Sequence, residues 1–249
     1  MNPTEIALSF SGIFIVSILL GRFARRFLPE HHLSSETKDT VKLAMGLVAT
    51  MSALLLGLMV SSAKGAYDAT RSEVIQMSAR VSFLDRALEM YGPEAAPLRA
   101  KLHDAVLLAV KDMWSEQPGS VSGDAHRGGD ALFGAMQALE PKNESQTSLK
   151  AHATSLAKDI GWSRALLHAQ ATASISRPLL TGVVLWLVVI FFSFSLLAPP
   201  NATATTALVV AALAVAGAVF LILELDRPFN GFIELSSEPL LRAVAEPAN

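Results

Sequence analysis

Three stretches of this chain, residues 43–63, 179–197 and 204–223, each run for about twenty residues without one charged side chain. A helix of that length rises through roughly 30 Å, the thickness of a bilayer's hydrocarbon core. Lipid also explains why the runs are apolar on every side, since a surface helix of a water-soluble domain keeps a polar face. The composition agrees: 51% of the 249 residues are hydrophobic, and the mean hydropathy is +0.42. Only residues 198–203, with Pro199, Pro200 and Asn201, separate the last two runs. Proline cannot continue a helix interior and Asn favours a turn, so these two runs read as a tight helical hairpin.

A fourth run, about residues 6–22, is shorter and has two readings, a signal peptide or a retained span. The segment ahead of it, Met1-Asn2-Pro3-Thr4-Glu5, carries no basic residue, and no small-x-small cleavage site follows. Arg22, Arg25 and Arg26 follow instead, where they can snorkel to the interface while Phe23 and Phe27 extend the apolar face. The run is therefore taken as a retained span. Orientation is not decided by charge: five basic residues lie in the loop after span 1 and seven near the span ends on the other side.

The expected fold class is an all-α integral membrane protein, four transmembrane helices plus a helical bundle inserted between spans 2 and 3. Its parts are a first pair at 1–63, an extramembrane bundle at 64–176, a second pair at 177–225 and a tail at 226–249. From Tyr67, apolar residues continue at Val74, Met77, Val81, Leu84, Leu88 and Tyr91, alternating three and four apart. That is a heptad stripe, and no proline interrupts it, so one helix is expected from about Val41 to Tyr91. Gly92-Pro93 stops it and starts the next, whose face is Leu98, Leu102, Ala105, Val106, Ala109 and Met113. Residues 117–129, with four glycines and a proline, read as a flexible loop, followed by a short helix at 130–139. After Pro141, Leu149, Ala153, Leu156, Ile160, Leu167 and Ala171 mark a long helix that reads as running into span 3.

Span 2 carries small or weakly polar residues at Gly46, Thr50, Ala53, Gly57 and Ser61, spaced three and four apart along one face. Such a face permits close packing of helices. It also suits a pore wall, with Thr50, Leu54, Gly57, Leu58 and Ser61 lining it: hydroxyls face the ion, and leucines form a dewetting constriction. Lys64 and Asp68, further along the helix, would then ring a pore mouth. Glu224 at the end of span 4 reads either as an interfacial group, solvated or paired with Arg227, or as an ion-handling group.

The chain contains no cysteine, which removes disulfides, thiol catalysis and thiolate metal sites. No HExxH, P-loop, nucleophile elbow or GxGxxG is present, and the six histidines do not cluster; His31 and His32 are merely adjacent. The sequence thus assigns no catalytic residue, metal or cofactor. A net charge of −2 gives no reason to expect a nucleic-acid partner.

The tail reads Leu225-Asp226-Arg227-Pro228-Phe229-Asn230-Gly231-Phe232, then Glu234-Leu235-Ser236-Ser237-Glu238-Pro239-Leu240. Together with Tyr91-Gly92-Pro93-Glu94-Ala95 and with Leu33-Ser34-Ser35 opening the helix of span 2, this resembles a widespread bacterial membrane family, the bestrophin-like domain proteins of unknown function. The likeness covers nearly the whole chain, with Asp226, Arg227, Pro228 and Phe229 as its tail motif. Bestrophins themselves are pentameric anion channels in which span 2 lines the pore. The resemblance therefore implies a homo-oligomer, a pentamer by analogy, in the bacterial inner membrane, with ions as cargo and the bundle and both termini in the cytoplasm. The clustered acids of the bestrophin calcium clasp are absent, and span 2 has no aromatic ring. Two functions follow: an oligomeric ion channel, or a non-conducting sensor or scaffold whose bundle binds a partner. The tail is expected to leave span 4 by Asp226 and fold back onto the bundle, anchored by Phe229, Phe232 and Leu235.

Overall fold

The computed structural model describes residues 3–27, 29, 34–115, 122–172, 176–199 and 201–245. His31, His32, Leu33 and the 117–121 part of the expected loop lie outside the described residues, as does the side chain of Ala171. Among the described residues the regular structure is entirely helical: α1 (Pro3–Ala24), α2 (Ser35–Tyr91), α3 (Ala96–Met113), α4 (Ser122–Gln137), α5 (Glu144–Thr172), α6 (Arg177–Leu197), α7 (Ala202–Leu225) and α8 (Glu238–Ala245), with short 3₁₀ turns at Arg25–Phe27 and Pro93–Ala95. Four of these, α1, α2, α6 and α7, are long and apolar enough to cross a membrane. The chain divides into two compact units, one of residues 1–66 and 174–226, the other of 67–173 and 227–249.

In the first unit α1 packs on α6 and α7. The core is Phe14 and Ile18 of α1, Leu56 and Met59 of α2, Val183, Leu187 and Phe191 of α6, and Ala212, Ala216, Val219 and Ile222 of α7. The approach of α1 to α6 is set by a glycine: a Cβ on Gly21 would collide with the backbone carbonyl of Phe192 and lie 3.1 Å from Ser195 Cβ. Small residues let membrane helices come this close. Two hydroxyls then bridge the pair, Ser17 Oγ donating to the Val188 carbonyl at 2.7 Å and Ser195 Oγ to that of Ile18 at 2.6 Å. Gly21→Ala should force the two helices apart and break both bonds, at a cost of about 1–3 kcal/mol for overpacking. A fall in the thermal unfolding temperature of the detergent-solubilised chain measures it; an unchanged temperature would show that the backbone yields at no cost.

The α6–α7 hairpin forms as expected, with Pro200 outside the described residues. Ala198 leaves α6 in extended backbone, and Asn201 caps α7 by accepting from Ala204 N at 2.8 Å. Arg22 donates to Thr205 Oγ1 and Arg25 to the Ala198 carbonyl. These arginines therefore close the hairpin as well as ending span 1, a favourable placement of cations at a helix C-terminus.

In the second unit the heptad residues Val74, Met77, Val81, Leu84, Leu88 and Tyr91 are all buried, in one core with Leu98, Leu102, Val106, Met113, Leu132, Met136, Ala153 and Leu167. The α2–α3 corner is Gly92, whose φ of 122° is open to glycine and strained for other residues. It is tied to the start of α5, where Gln146 Nε2 donates to the Tyr91 carbonyl at 2.9 Å and Lys142 donates to Glu94. That hydrogen bond holds the Glu94 carboxyl below its usual range and raises Lys142. Asp85 grips Arg99 at 2.8 and 2.6 Å, raising the Arg99 guanidinium.

Two sequence expectations fail here. Helix α4 begins at Ser122, so most of the glycine-rich stretch read as loop is helical, and the helix ends at Gln137 rather than 139. At Gly128 the helix lies against α3, where an added Cβ would be 3.4 Å from Leu108 Cδ1 and 3.8 Å from Ala105 Cα, while Gly129 and Gly134 face open space. Nor does α5 run into span 3. Ser176 has ψ 100° and stands as N-cap of α6, with Pro178 in the first turn, where its missing N–H costs nothing.

Candidate functional site

Helix α2 continues without a break from Ser35 to Tyr91, as the uninterrupted pattern from Val41 requires. Within the first unit it turns Ser52, Leu56, Met59 and Ala63 inward, each less than a tenth exposed. These positions are four, three and four apart, one side of the helix. The small residues Gly46, Thr50, Ala53, Gly57 and Ser61 occupy the other side and are exposed, and nothing lies within 4 Å of a Cβ built on Gly46 or Gly57. The small face is therefore not spent on packing against spans 1, 3 or 4 of its own chain. Leu54 and Leu58 flank it, 70% and 67% exposed.

The hydroxyls on this face differ. Thr50 Oγ1 donates to its own helix, 2.7 Å from the Gly46 carbonyl and 3.0 Å from that of Leu47. Its proton is committed, leaving oxygen lone pairs toward the outside. Ser61 is exposed, and Lys64 and Asp68 follow on the same exposed side of α2. Each of Lys64 and Asp68 has an electrostatic or hydrogen-bonding neighbour.

Span 4 ends where Pro228 demands: α7 stops at Leu225, with Asp226 as C-cap. Glu224 is 2% exposed, which overturns its reading as a solvated interfacial group; the residue also has an interaction partner. Beyond it the tail joins the second unit's core. Phe229 stacks edge-on against Trp114 with ring centroids 5.0 Å apart. Trp114 Nε1 donates to the Leu235 carbonyl at 2.6 Å, Asn230 Nδ2 to that of Ser115 at 2.8 Å, and Ser78 Oγ to that of Pro239 at 2.5 Å. Phe229 and Leu235 are buried as expected, but Phe232 is 82% exposed. The chain turns at Arg227–Asn230, where Asn230 N donates to the Arg227 carbonyl, and Leu240 of α8 takes the third anchoring place at 2% exposure.

Sequence reasoning passed over one cluster. Asp112 of α3 is fully buried, and its Oδ2 lies 3.4 Å from Arg164 and 3.3 Å from His168 of α5. The i, i+4 spacing of Arg164 and His168 was the only signal in the sequence, and it carries no hint of a partner fifty residues away. Among the described residues no group of three His, Cys, Asp or Glu side chains is placed to hold a metal ion.

Four helices long and apolar enough to cross a membrane, in an all-helical chain, define an α-helical membrane protein. A family model for the Bestrophin-like domain matches residues 11–240, and the chain belongs to that family. No curated protein is similar enough to the chain to count as a match.

Proposed function

We propose that this chain is one subunit of an oligomeric anion channel in the bacterial inner membrane, with α2 lining the central axis. The observation that carries this reading is the uncovered small face of α2, Thr50, Leu54, Gly57, Leu58 and Ser61, on a span whose opposite side is already buried. Membership of the bestrophin-like family supports it. The neighbouring subunit packs on the same helix further along, where Ile75, Phe83 and Met90 are 51%, 65% and 65% exposed. Solvent exposure of three such side chains is otherwise costly, about 1.5–3 kcal/mol each.

In this reading residues 64–176 form a helical bundle outside the membrane, inserted between spans 2 and 3, and both termini face the cytoplasm. The chain catalyses no reaction and needs no cofactor; it lowers the barrier to an ion. Thr50 offers lone pairs only, so the donors that an anion requires come from Ser61 and from the Lys64 ring at the mouth, beside which Asp68, one turn further on the same exposed side, sets a ring of opposite charge. Leu54 and Leu58 form the apolar constriction.

Two measurements test it. Protein reconstituted in planar bilayers should carry a current that favours chloride over potassium, and Lys64→Glu, which changes the charge by −2 per subunit, should move the reversal potential toward cation selectivity. Absence of current from an assembled oligomer at any voltage or pH would favour the non-conducting scaffold. For orientation, Glu140→Cys places a single thiol on an exposed site of this cysteine-free chain. An impermeant thiol reagent should leave it unlabelled in intact spheroplasts and label it after lysis; labelling of intact cells puts the bundle outside.

A further inference from the structure

The second unit contains a cavity of about 620 Å³ that the channel reading does not use. Its floor is apolar: Met77, Val81 and Leu84 of α2, Leu102 and Val106 of α3, and Leu240 of α8, all buried. Protein interiors leave few voids larger than a water molecule. Apolar pockets of roughly 300–1,000 Å³ with a few convergent polar groups are instead the usual form of a small-molecule site. The polar groups here are Lys158, Arg164 and His168 on α5, facing Asp130 on α4.

The α5 side of the rim is a built feature. Gly161, Ala165 and His168 also line the cavity, so with Lys158 they form one line of positions three and four apart along the helix. Arg164 and His168 are held from behind by Asp112, which has no exposed surface. A buried carboxylate is costly unless matched; here it fixes two nitrogen-bearing side chains at the cavity edge. Its Oδ1 accepts no hydrogen bond from the protein.

We propose that the cavity binds an amphiphilic organic anion, its apolar tail on the leucine and valine floor and its carboxylate or comparable head group against Lys158, Arg164 and His168. Asp130 is the acid that lines the cavity, while Asp112 lies behind Arg164 and His168 and does not line it, so the groups that meet a head group are mainly nitrogen-bearing, which suits an anion better than an ammonium. The shared chemistry, an apolar chain with an anionic head, comes either from a free acid or from a membrane lipid.

The test uses the full chain in phosphatidylcholine nanodiscs with a single cysteine at Ala165→Cys or Gly161→Cys, both on the cavity wall, and at Glu140→Cys outside it. Sodium octanoate should slow alkylation by iodoacetamide severalfold at the two cavity sites and not at Glu140→Cys. Acetate, which lacks the tail, and octylammonium, which reverses the head charge, should protect far less. Lys158→Gln should weaken protection by octanoate while leaving that by octanol unchanged. Gly161→Phe, at a position with open space around its Cβ, should abolish protection at Ala165→Cys without lowering the unfolding temperature. Protection by phosphatidylglycerol discs without added octanoate would assign the site to a lipid, and protection only by octanoate to a free acid. Three results overturn the proposal: no dose-dependent protection at the cavity sites, equal protection at Glu140→Cys, or octylammonium protecting as well as octanoate.

Discussion

Gly57→Trp should abolish the current carried by reconstituted protein, down to that of a protein-free membrane, while Gly57→Ala leaves it near the wild-type level. The reason is geometric. Nothing lies within 4 Å of a Cβ at Gly57 in the isolated chain, so an indole there meets no neighbour of its own subunit and the fold tolerates it. In a ring with α2 on the axis, each subunit contributes one indole at the same depth, beside the constriction of Leu54 and Leu58. The aqueous path is then filled. The variant must still assemble, which chromatography of the detergent-solubilised oligomer verifies. A current that survives Gly57→Trp in an assembled ring would remove this face from the pore wall. Density showing Gly57 packed against a neighbour with no opening on the axis would end the channel reading itself.

The largest stability effect is expected at the Asp112 cluster. Arg164→Met should destabilise the second unit by about 3–5 kcal/mol, the usual result of removing one partner from a buried ion pair. Asp112 has no exposed surface and Arg164 has 15% of its side chain exposed, so the carboxylate left behind has no route to water and keeps the His168 imidazole, 3.3 Å away, as its neighbour. Met keeps most of the volume and apolar stem of Arg, which separates the charge effect from a cavity effect. The paired replacement Asp112→Leu with Arg164→Met should recover most of the loss, since an apolar pair of similar size carries no desolvation cost. Thermal unfolding with amide exchange along α3 and α5 reads both. A single variant that unfolds with the wild type would mean that water or rearrangement already satisfies Asp112.

How much of this was legible beforehand differs by element. The spans were, because an uncharged run of about twenty residues has one inexpensive environment. The continuity of α2 was also legible: the heptad residues Val74 to Tyr91 and the absence of proline are local facts, and helix formation is local. The hairpin at Pro199 and Asn201 and the end of α7 at Asp226 follow from backbone restrictions carried by single residues.

The glycines of α4 misled because glycine lowers helix propensity by about 1 kcal/mol, a local cost that burial of Leu132 and Met136 in the second unit's core offsets. Phe232 was a sound anchor by hydrophobicity, yet the place against Trp114 is filled by Phe229 and Phe232 is left exposed, a choice that depends on a partner more than a hundred residues away. Glu224 had two interfacial readings from its place at the end of span 4, solvated or paired with Arg227, and the helices around it bury it, which removes the solvated one. Periodicity marked the small face of α2 but left open what covers it, and in the folded chain no other span does. The polar cluster of Asp112, Arg164 and His168 and the cavity beside it were beyond reach of the sequence. Hydrophobic runs, periodicity and proline act over a few residues and can be read along the chain; burial of a charge or the emptiness of a cavity depends on which distant helices meet, and only the packed tertiary structure brings residue 112 to residues 164 and 168.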